Sequence, residues 1–249
     1  MKMSFSLPDA ESLRGRVILV TGASQGLGRT VALAAAQHGA TVVLLARSVR
    51  KLEKVYDEIV AQGGPEPVAI PMDLLTAEEA QFNDLALQIH KVLGRLDGIV
   101  HCAAHFYASS PLINQTVEEW VNQYRINTVA PFALTRACAP LLFRAEDASV
   151  ILVSETHAVH PGPFWGGFGA SKCALSHLAQ VATQEWDAFP QVRINVLVPG
   201  PVASPQRTRT HPGETKTHLP TLESLVPAFL FWLGPASRGR SGEVIELNP

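Results

Sequence analysis

The stretch Val17-Ile18-Leu19-Val20-Thr21-Gly22-Ala23-Ser24-Gln25-Gly26-Leu27-Gly28-Arg29 decides the fold. It runs from four consecutive apolar residues through a turn with three glycines into a helix that opens at Arg29. Glycines at this spacing let the backbone pass close to a diphosphate, and free amides backed by a helix N-terminus attract an anion without any charged side chain. Gly22, Ser24, Gln25, Gly26, Leu27 and Gly28 are therefore candidate phosphate-binding positions.

Working outward, short apolar runs recur at 17–20, 41–45, 68–70, 98–100, 150–153, 194–198 and 244–247. They lack polar alternation, as strands covered on both faces do. Helical stretches lie between them at 29–38, 51–62, 78–93, 118–143 and 172–186. This alternation predicts one α/β domain over residues 1–249, with a mostly parallel, doubly wound, seven-stranded sheet and helices on both faces. Residues 203–220, with Pro205, Pro212, Gly213 and Pro220, read as one long irregular loop, a candidate substrate lid.

The second strand ends at Ala46, where an acidic residue would bind the free ribose hydroxyls of NAD. Arg47 and Ser48 follow, and Ser24 lies in the facing turn, a set suited to a 2′-phosphate. NADP(H) is thus expected in preference to NAD(H), the alternative being that Arg47 is a solvated surface side chain.

Bulk composition excludes several classes. A net charge of −2 across 249 residues offers no field toward nucleic acid or an anionic membrane. No apolar run approaches the ~18 residues of a membrane span. Cys102, Cys138 and Cys173 are scattered, without the spacing of a zinc site or disulfide framework, so a cytoplasmic protein without a metal is expected.

The spacing Thr-Gly-x-x-x-Gly-x-Gly at 21–28 resembles the short-chain dehydrogenase/reductase family, and further motifs extend the likeness through nearly the whole chain. Asp73-Leu74 resembles the family's adenine-contacting pair, and Asn127 its helix asparagine. Ala170-Ser171-Lys172 resembles the stretch with the active lysine. The segment from Asn195 through Pro199, Gly200, Pro201, Val202 and Ser204 resembles the one that holds the nicotinamide carboxamide. The nearest likeness is to bacterial members of unassigned substrate. The resemblance implies a Rossmann-type sheet, a bound nicotinamide cofactor held also by Lys172, and homodimers or homotetramers packed through the helices after the fourth and fifth strands. His101-Cys102-Ala103-Ala104 replaces the family's usual Asn-Asn-Ala-Gly, with Ala103 keeping a small side chain beside the cofactor. His101 reads as a packed strand-end residue.

By the same resemblance, the reaction would use a tyrosine as acid, a serine to orient the carbonyl, Lys172, and Asn127 to hold a relaying water. The tyrosine position, four residues before Lys172, is Phe168, and the serine position, thirteen before that, is Glu155. A positioned general acid is worth about 10² to 10⁴ in rate. An ionised Glu155 would also set negative charge beside the oxygen that becomes negative. Ordinary carbonyl reduction should therefore be weak or absent. Glu155 has two open roles, a salt bridge with Lys172 or a desolvated replacement acid; a register shift would put Ser154 in the serine role instead. Tyr107, on the loop after the fourth strand, is the other candidate acid. His157 and His160 lie beside the cleft, where either could bind an anion or shuttle protons, though chance placement explains them as well. Arg207, Arg209 and Lys216 form either a basic lid or a solvated loop. Two classes of function stay open: an oxidoreductase with altered chemistry, and a non-catalytic NADP(H)-sensing or scaffold protein.

Overall fold

The computed structural model describes residues 5–247; the first four and last two residues of the expected domain, and the Lys216 side chain, lie outside that description. Seven strands form one sheet: β1 (Val17–Thr21), β2 (Thr41–Ala46), β3 (Val68–Pro71), β4 (Gly98–His101), β5 (Ala148–Val153), β6 (Val192–Val198) and β7 (Val244–Glu246). Their order is β3-β2-β1-β4-β5-β6-β7, and every pairing is parallel. The expected seven-stranded, doubly wound sheet is what the chain forms.

Alternate residues of each strand feed two cores. Ile18, Val20, Val42 and Leu44 face α1 (Gly26–Gln37), α2 (Val49–Ala61) and the late helix α9 (Val226–Leu233). Leu19, Val43, Leu45 and Val150 face α3 (Glu79–Leu93), α5 (Ala130–Leu142) and α7 (Gly166–Glu185). Burying both faces explains why the strands read as unbroken apolar runs.

Several helices depart from the sequence reading. The expected single helix over 118–143 is α4 (Val117–Tyr124), a π-helical segment (Arg125–Val129) and α5 (Ala130–Leu142), running on without a break. In the π segment Asn127 and Thr128 reach across to α7, where Asn127 Nδ2 donates to Ser171 Oγ at 2.9 Å and Thr128 Oγ1 to the Ser171 carbonyl at 2.6 Å. These cross-helix bonds accompany the local change in winding. After the short α6 (Thr156–Val159) comes α7 (Gly166–Glu185), which begins six residues before the expected start at Lys172. Its opening glycines pack closely against neighbours rather than breaking the helix. A Cβ on Gly166 would lie 2.8 Å from Gln115, one on Gly167 2.5 Å from Gln123, and one on Gly169 3.0 Å from the His157 carbonyl.

The loop expected over 203–220 is partly ordered. α8 (Pro205–Thr210) is capped by Ser204, whose Oγ accepts from Arg207 N at 3.0 Å. Finally α9 (Val226–Leu233), for which the sequence reading assigned no element, places Phe229, Leu230, Trp232 and Leu233 in the core. Its residues are apolar on nearly every face, so no helical stripe marks it.

Candidate functional site

Because β1 is flanked by β2 on one side and β4 on the other, successive crossovers run in opposite directions from it, which opens a crevice at the strands' C-terminal ends. A cavity of about 560 Å³ fills that crevice. It is lined by Gly22, Ser24, Gln25, Gly26, Leu27 and Gly28 from the first turn, and by Arg47, Asp73 and Leu74 from the ends of β2 and β3. Ala103, Glu155, Phe168, Lys172, Pro199, Gly200, Val202 and Ser204 complete the far side.

Steric limits fix the turn. Gly22 has φ +68°, and a Cβ there would come within 2.9 Å of Ala103 N; a Cβ on Gly28 would lie 2.4 Å from the Gly22 carbonyl oxygen. Only glycine lets α1 sit this close behind the turn. The residue before α1, Gln25, makes no side-chain cap, and the first helical turn carries no acid, so its amides are left for a ligand. This cradle fits a diphosphate. At its side, Arg47 is exposed and makes no hydrogen bond or ion pair among the described residues, while Lys51 Nζ donates to Gln25 Oε1 at 2.8 Å. Lys51 was not singled out from sequence; its place on the face of α2 turned toward the cleft becomes visible only in the fold.

At the far end Lys172 is fully buried and its Nζ donates to the Val153 carbonyl at 2.8 Å. Burial lowers its pKa to about 8, against the opposing pull of Cys102 and Glu155. The Cys102 thiol is itself pushed up to about 12 by burial and is neutral. His101 is lowered to about 3, first by burial and then by Lys172, and packs as a neutral ring against Thr135 Oγ1 at 2.9 Å, as a strand-end histidine.

Of the two roles open to Glu155, the salt bridge with Lys172 is not formed. Glu155 Oε2 instead pairs with His157 Nδ1 at 3.1 Å, and Oε1 is buried with no hydrogen-bond partner. Lys172 is taken up by the Val153 carbonyl because its helix meets the end of β5 there. Ser154 does line the cavity, but its hydroxyl donates to the Lys172 carbonyl at 3.2 Å, so the alternative register provides no free hydroxyl. Phe168 is buried and packs edge-on against Phe106, with ring centres 5.3 Å apart; Trp165 lies 6.0 Å from it.

Other candidates fall elsewhere. Asn127 does not line the cavity: it is fully buried, with Oδ1 accepting from His105 N at 2.8 Å and Nδ2 donating to the His105 carbonyl at 2.9 Å. Its side chain staples the loop after β4 to the π segment instead of presenting an amide to the cleft. Tyr107 is also outside the lining, because in the extended loop Phe106 turns inward and Tyr107 outward, 57% exposed. Asn195 likewise ties β6 to the turn before β7, donating to the Arg240 carbonyl and accepting from Glu243 N. His160 pairs with Glu246 at the surface, whereas His157 lines the cleft and stacks on Trp165 at 4.0 Å.

Lid residues point two ways. Arg207 is held by both oxygens of Glu214 at 2.6 Å, and Arg209 reaches the Phe106 carbonyl at 3.3 Å. His211, missed in the sequence, enters the cleft beside Trp165, and burial followed by Arg207 lowers its pKa. Among the described residues no group of histidine, cysteine and acidic side chains could hold a metal, and no helix is long and apolar enough to cross a membrane.

Comparison with known proteins agrees with this geometry. The family model for short chain dehydrogenases matches residues 16–215. The uncharacterized oxidoreductase YciK of Escherichia coli is 33% identical over 242 residues, which span 97% of this chain and 95% of that protein. A short chain dehydrogenase structure from Pseudomonas syringae superposes with a TM-score of 0.96 at 36% identity, covering 100% of both chains. Another, from Escherichia coli and complexed with NADPH, gives 0.94 at 33% identity over 97% of this chain and 100% of that one. With a parallel sheet, a glycine cradle at its switch point and likeness of this extent, the chain belongs to the short-chain dehydrogenase/reductase family.

Proposed function

We propose that this protein binds NADP(H) in preference to NAD(H), in the cytoplasm, and that its ordinary carbonyl reductase activity is weak or absent. Bound NADPH would supply a hydride. The residues that hold the cofactor are the cradle from Gly22 to Gly28 for the diphosphate, Arg47, Ser48 and Ser24 for the 2′-phosphate, and Lys172 with the Pro199–Ser204 segment toward the nicotinamide. The NADPH and NADP complexes of similar proteins support this reading.

One observation carries the chemistry. Phe168, four residues before Lys172 on α7, is a buried hydrocarbon ring, and no tyrosine lines the cleft among the described residues. Without a phenol to protonate the nascent alkoxide, a loss of about 10² to 10⁴ in rate follows.

Fluorescence titration tests the cofactor half. NADPH should bind at least about tenfold more tightly than NADH, since a guanidinium–phosphate contact is worth roughly 1.5–3 kcal/mol. Arg47→Ala should remove most of that difference by weakening NADPH alone. Equal affinities in the unaltered protein, or equal weakening of both cofactors by the substitution, would overturn the preference. We also propose that the chain associates as a homodimer or homotetramer.

A further inference from the structure

We propose that His157 is the proton donor of this cleft, positioned by Glu155, and that the slow carbonyl reduction left to the protein runs through its imidazolium. This rests on the NADP(H) reading above and adds a catalytic residue to it.

A carboxylate–imidazole pair carries the inference. His157 Nδ1 lies 3.1 Å from Glu155 Oε2, and a carboxylate only accepts, so the Nδ1–H is fixed there and Nε2 is the nitrogen left to exchange a proton. Nε2 makes no hydrogen bond among the described residues. The His157 side chain lines the cleft and keeps 24% exposure, so water reaches it, whereas Glu155 Oε1 is closed off. Its ring is held on more than one side. It stacks on Trp165 with ring centres 4.0 Å apart and planes 8° from parallel, and a Cβ on Gly162 would lie 3.0 Å from its Cδ2. A donor oriented by a third group in this way is the arrangement that proton transfer needs.

The pair also stands at the right end of the cleft. Lys172 Nζ is held by the carbonyl of Val153, the last residue of β5, and Glu155 and His157 follow two and four residues later. That is the end to which the reading above assigns the nicotinamide. Charged groups face the ring from three elements: Glu155 beyond β5, Lys172 on α7 behind that carboxylate, and His211 from the lid with the Arg207–Glu214 pair. His211 is the poorer donor, because burial and then Arg207 lower its pKa and its Nδ1 is engaged with Thr210 Oγ1 at 2.8 Å.

In the step, the C4–H bond of NADPH and the Nε2–H bond of the imidazolium break, while a C–H and an O–H bond form at the carbonyl. NADPH is oxidised by two electrons and the carbonyl is reduced by them. Water in the open cleft then returns a proton to the neutral ring. Imidazolium, unlike a phenol, is depleted as a solution turns from acid to alkaline, so reduction by this route fades with rising pH.

The test uses the full-length protein with NADPH and 4-nitrobenzaldehyde, an activated carbonyl probe. Raising the pH from about 6 to about 9 should lower kcat at least about tenfold. His157→Ala should lose about 100-fold, and added imidazole should restore part of the loss. Glu155→Gln, which keeps shape and removes charge, should lower kcat about tenfold with KM little changed. Nitrogen NMR of the cofactor-free protein at alkaline pH should show the neutral His157 ring in its Nδ1–H form, and Glu155→Ala should shift it toward the Nε2–H form. A rate indifferent to pH, a His157→Ala variant as active as the unaltered protein, or an Nε2–H ring in the unaltered protein overturns the proposal. Absence of NADPH binding sinks the cofactor reading instead, and the NMR arm then decides the pair by itself.

Discussion

Phe168 is buried, and its neighbours have closed around the hydrocarbon. Phe106 meets its ring edge-on and Trp165 lies beside it, so the position is packed rather than vacant. Glu155, two residues beyond the end of β5, pairs with His157. On the proposed reading of the site, Phe168→Tyr combined with Glu155→Ser should raise NADPH-dependent ketone reduction at least about 100-fold over the unaltered protein. A steady-state assay on a panel of ketones checks this; brisk turnover by the unaltered protein, or no gain in the double variant, contradicts it. That Phe168 and Glu155 stand at the family's tyrosine and serine positions came with the resemblance, by counting along its motif from Lys172. What Glu155 pairs with was not legible, because three candidates, Lys172, His157 and solvent, lie within reach of one flexible side chain, and only the path of α6 decides among them. Where the Asn127 and Tyr107 side chains point was not legible for a related reason: position in the chain gives the element, but the direction of the side chain depends on the π segment and on which residue of an extended loop turns inward.

Strand ends show what the elements need from one another. At the N-terminal ends of the strands, opposite the cleft, Asp147 accepts from Arg16 Nη1 at 2.6 Å and from Arg193 Nη1, with Arg238 3.4 Å away. Arg193 also donates to Ser237 Oγ at 2.7 Å and to the Gly234 carbonyl at 2.7 Å, so one buried network joins β1, β5, β6 and the end of α9. Burial opposes ionisation of Asp147, but hydrogen bonds from Arg16 and Arg193 outweigh it and hold its pKa below the usual carboxylate value. A depressed folded pKa contributes stability that is present above the unfolded value, near 3.8, and is lost as pH falls through the folded one. Asp147→Asn, which leaves Arg193 buried without its anion, should cost about 3 kcal/mol in urea unfolding at neutral pH. The deficit should shrink as acid protonates Asp147 in the unaltered protein; a deficit that is absent, or constant down to the acid limit, refutes this. Sequence reading did not single out this network, since Arg16, Asp147 and Arg193 are separated by more than a hundred residues or by whole strands. The strands were legible because their apolar runs report burial on both faces, whereas α9, equally apolar, lacked the periodicity that would distinguish helix from strand.

At the scale of the whole molecule, the fold leaves an apolar stripe uncovered. Val117, Val121, Val129 and Phe132 are all exposed, and their spacing of three to eight residues across α4, the π segment and α5 sets them along one side of a continuous helix. Val117 is 80% exposed, and Arg136 lies over the Phe132 ring at 5.6 Å while pairing with Glu79 at 2.6 Å. Scattered exposed apolar residues are ordinary, but a row of them bordered by charge is what a subunit contact presents. A two-fold contact would bring this stripe against its own copy and bury it twice over. The proposed homo-oligomer should accordingly sediment at a multiple of the chain mass at micromolar concentration, and Val121→Glu with Phe132→Glu should shift it toward the monomer by setting four like charges across the axis. Because the stripe lies on the outer side of the helices, away from the cleft, NADPH affinity should change less than threefold in that variant, a difference below about 0.7 kcal/mol. A protein that sediments as a monomer before substitution would refute the association, and an oligomer indifferent to both glutamates would place the contact on another face.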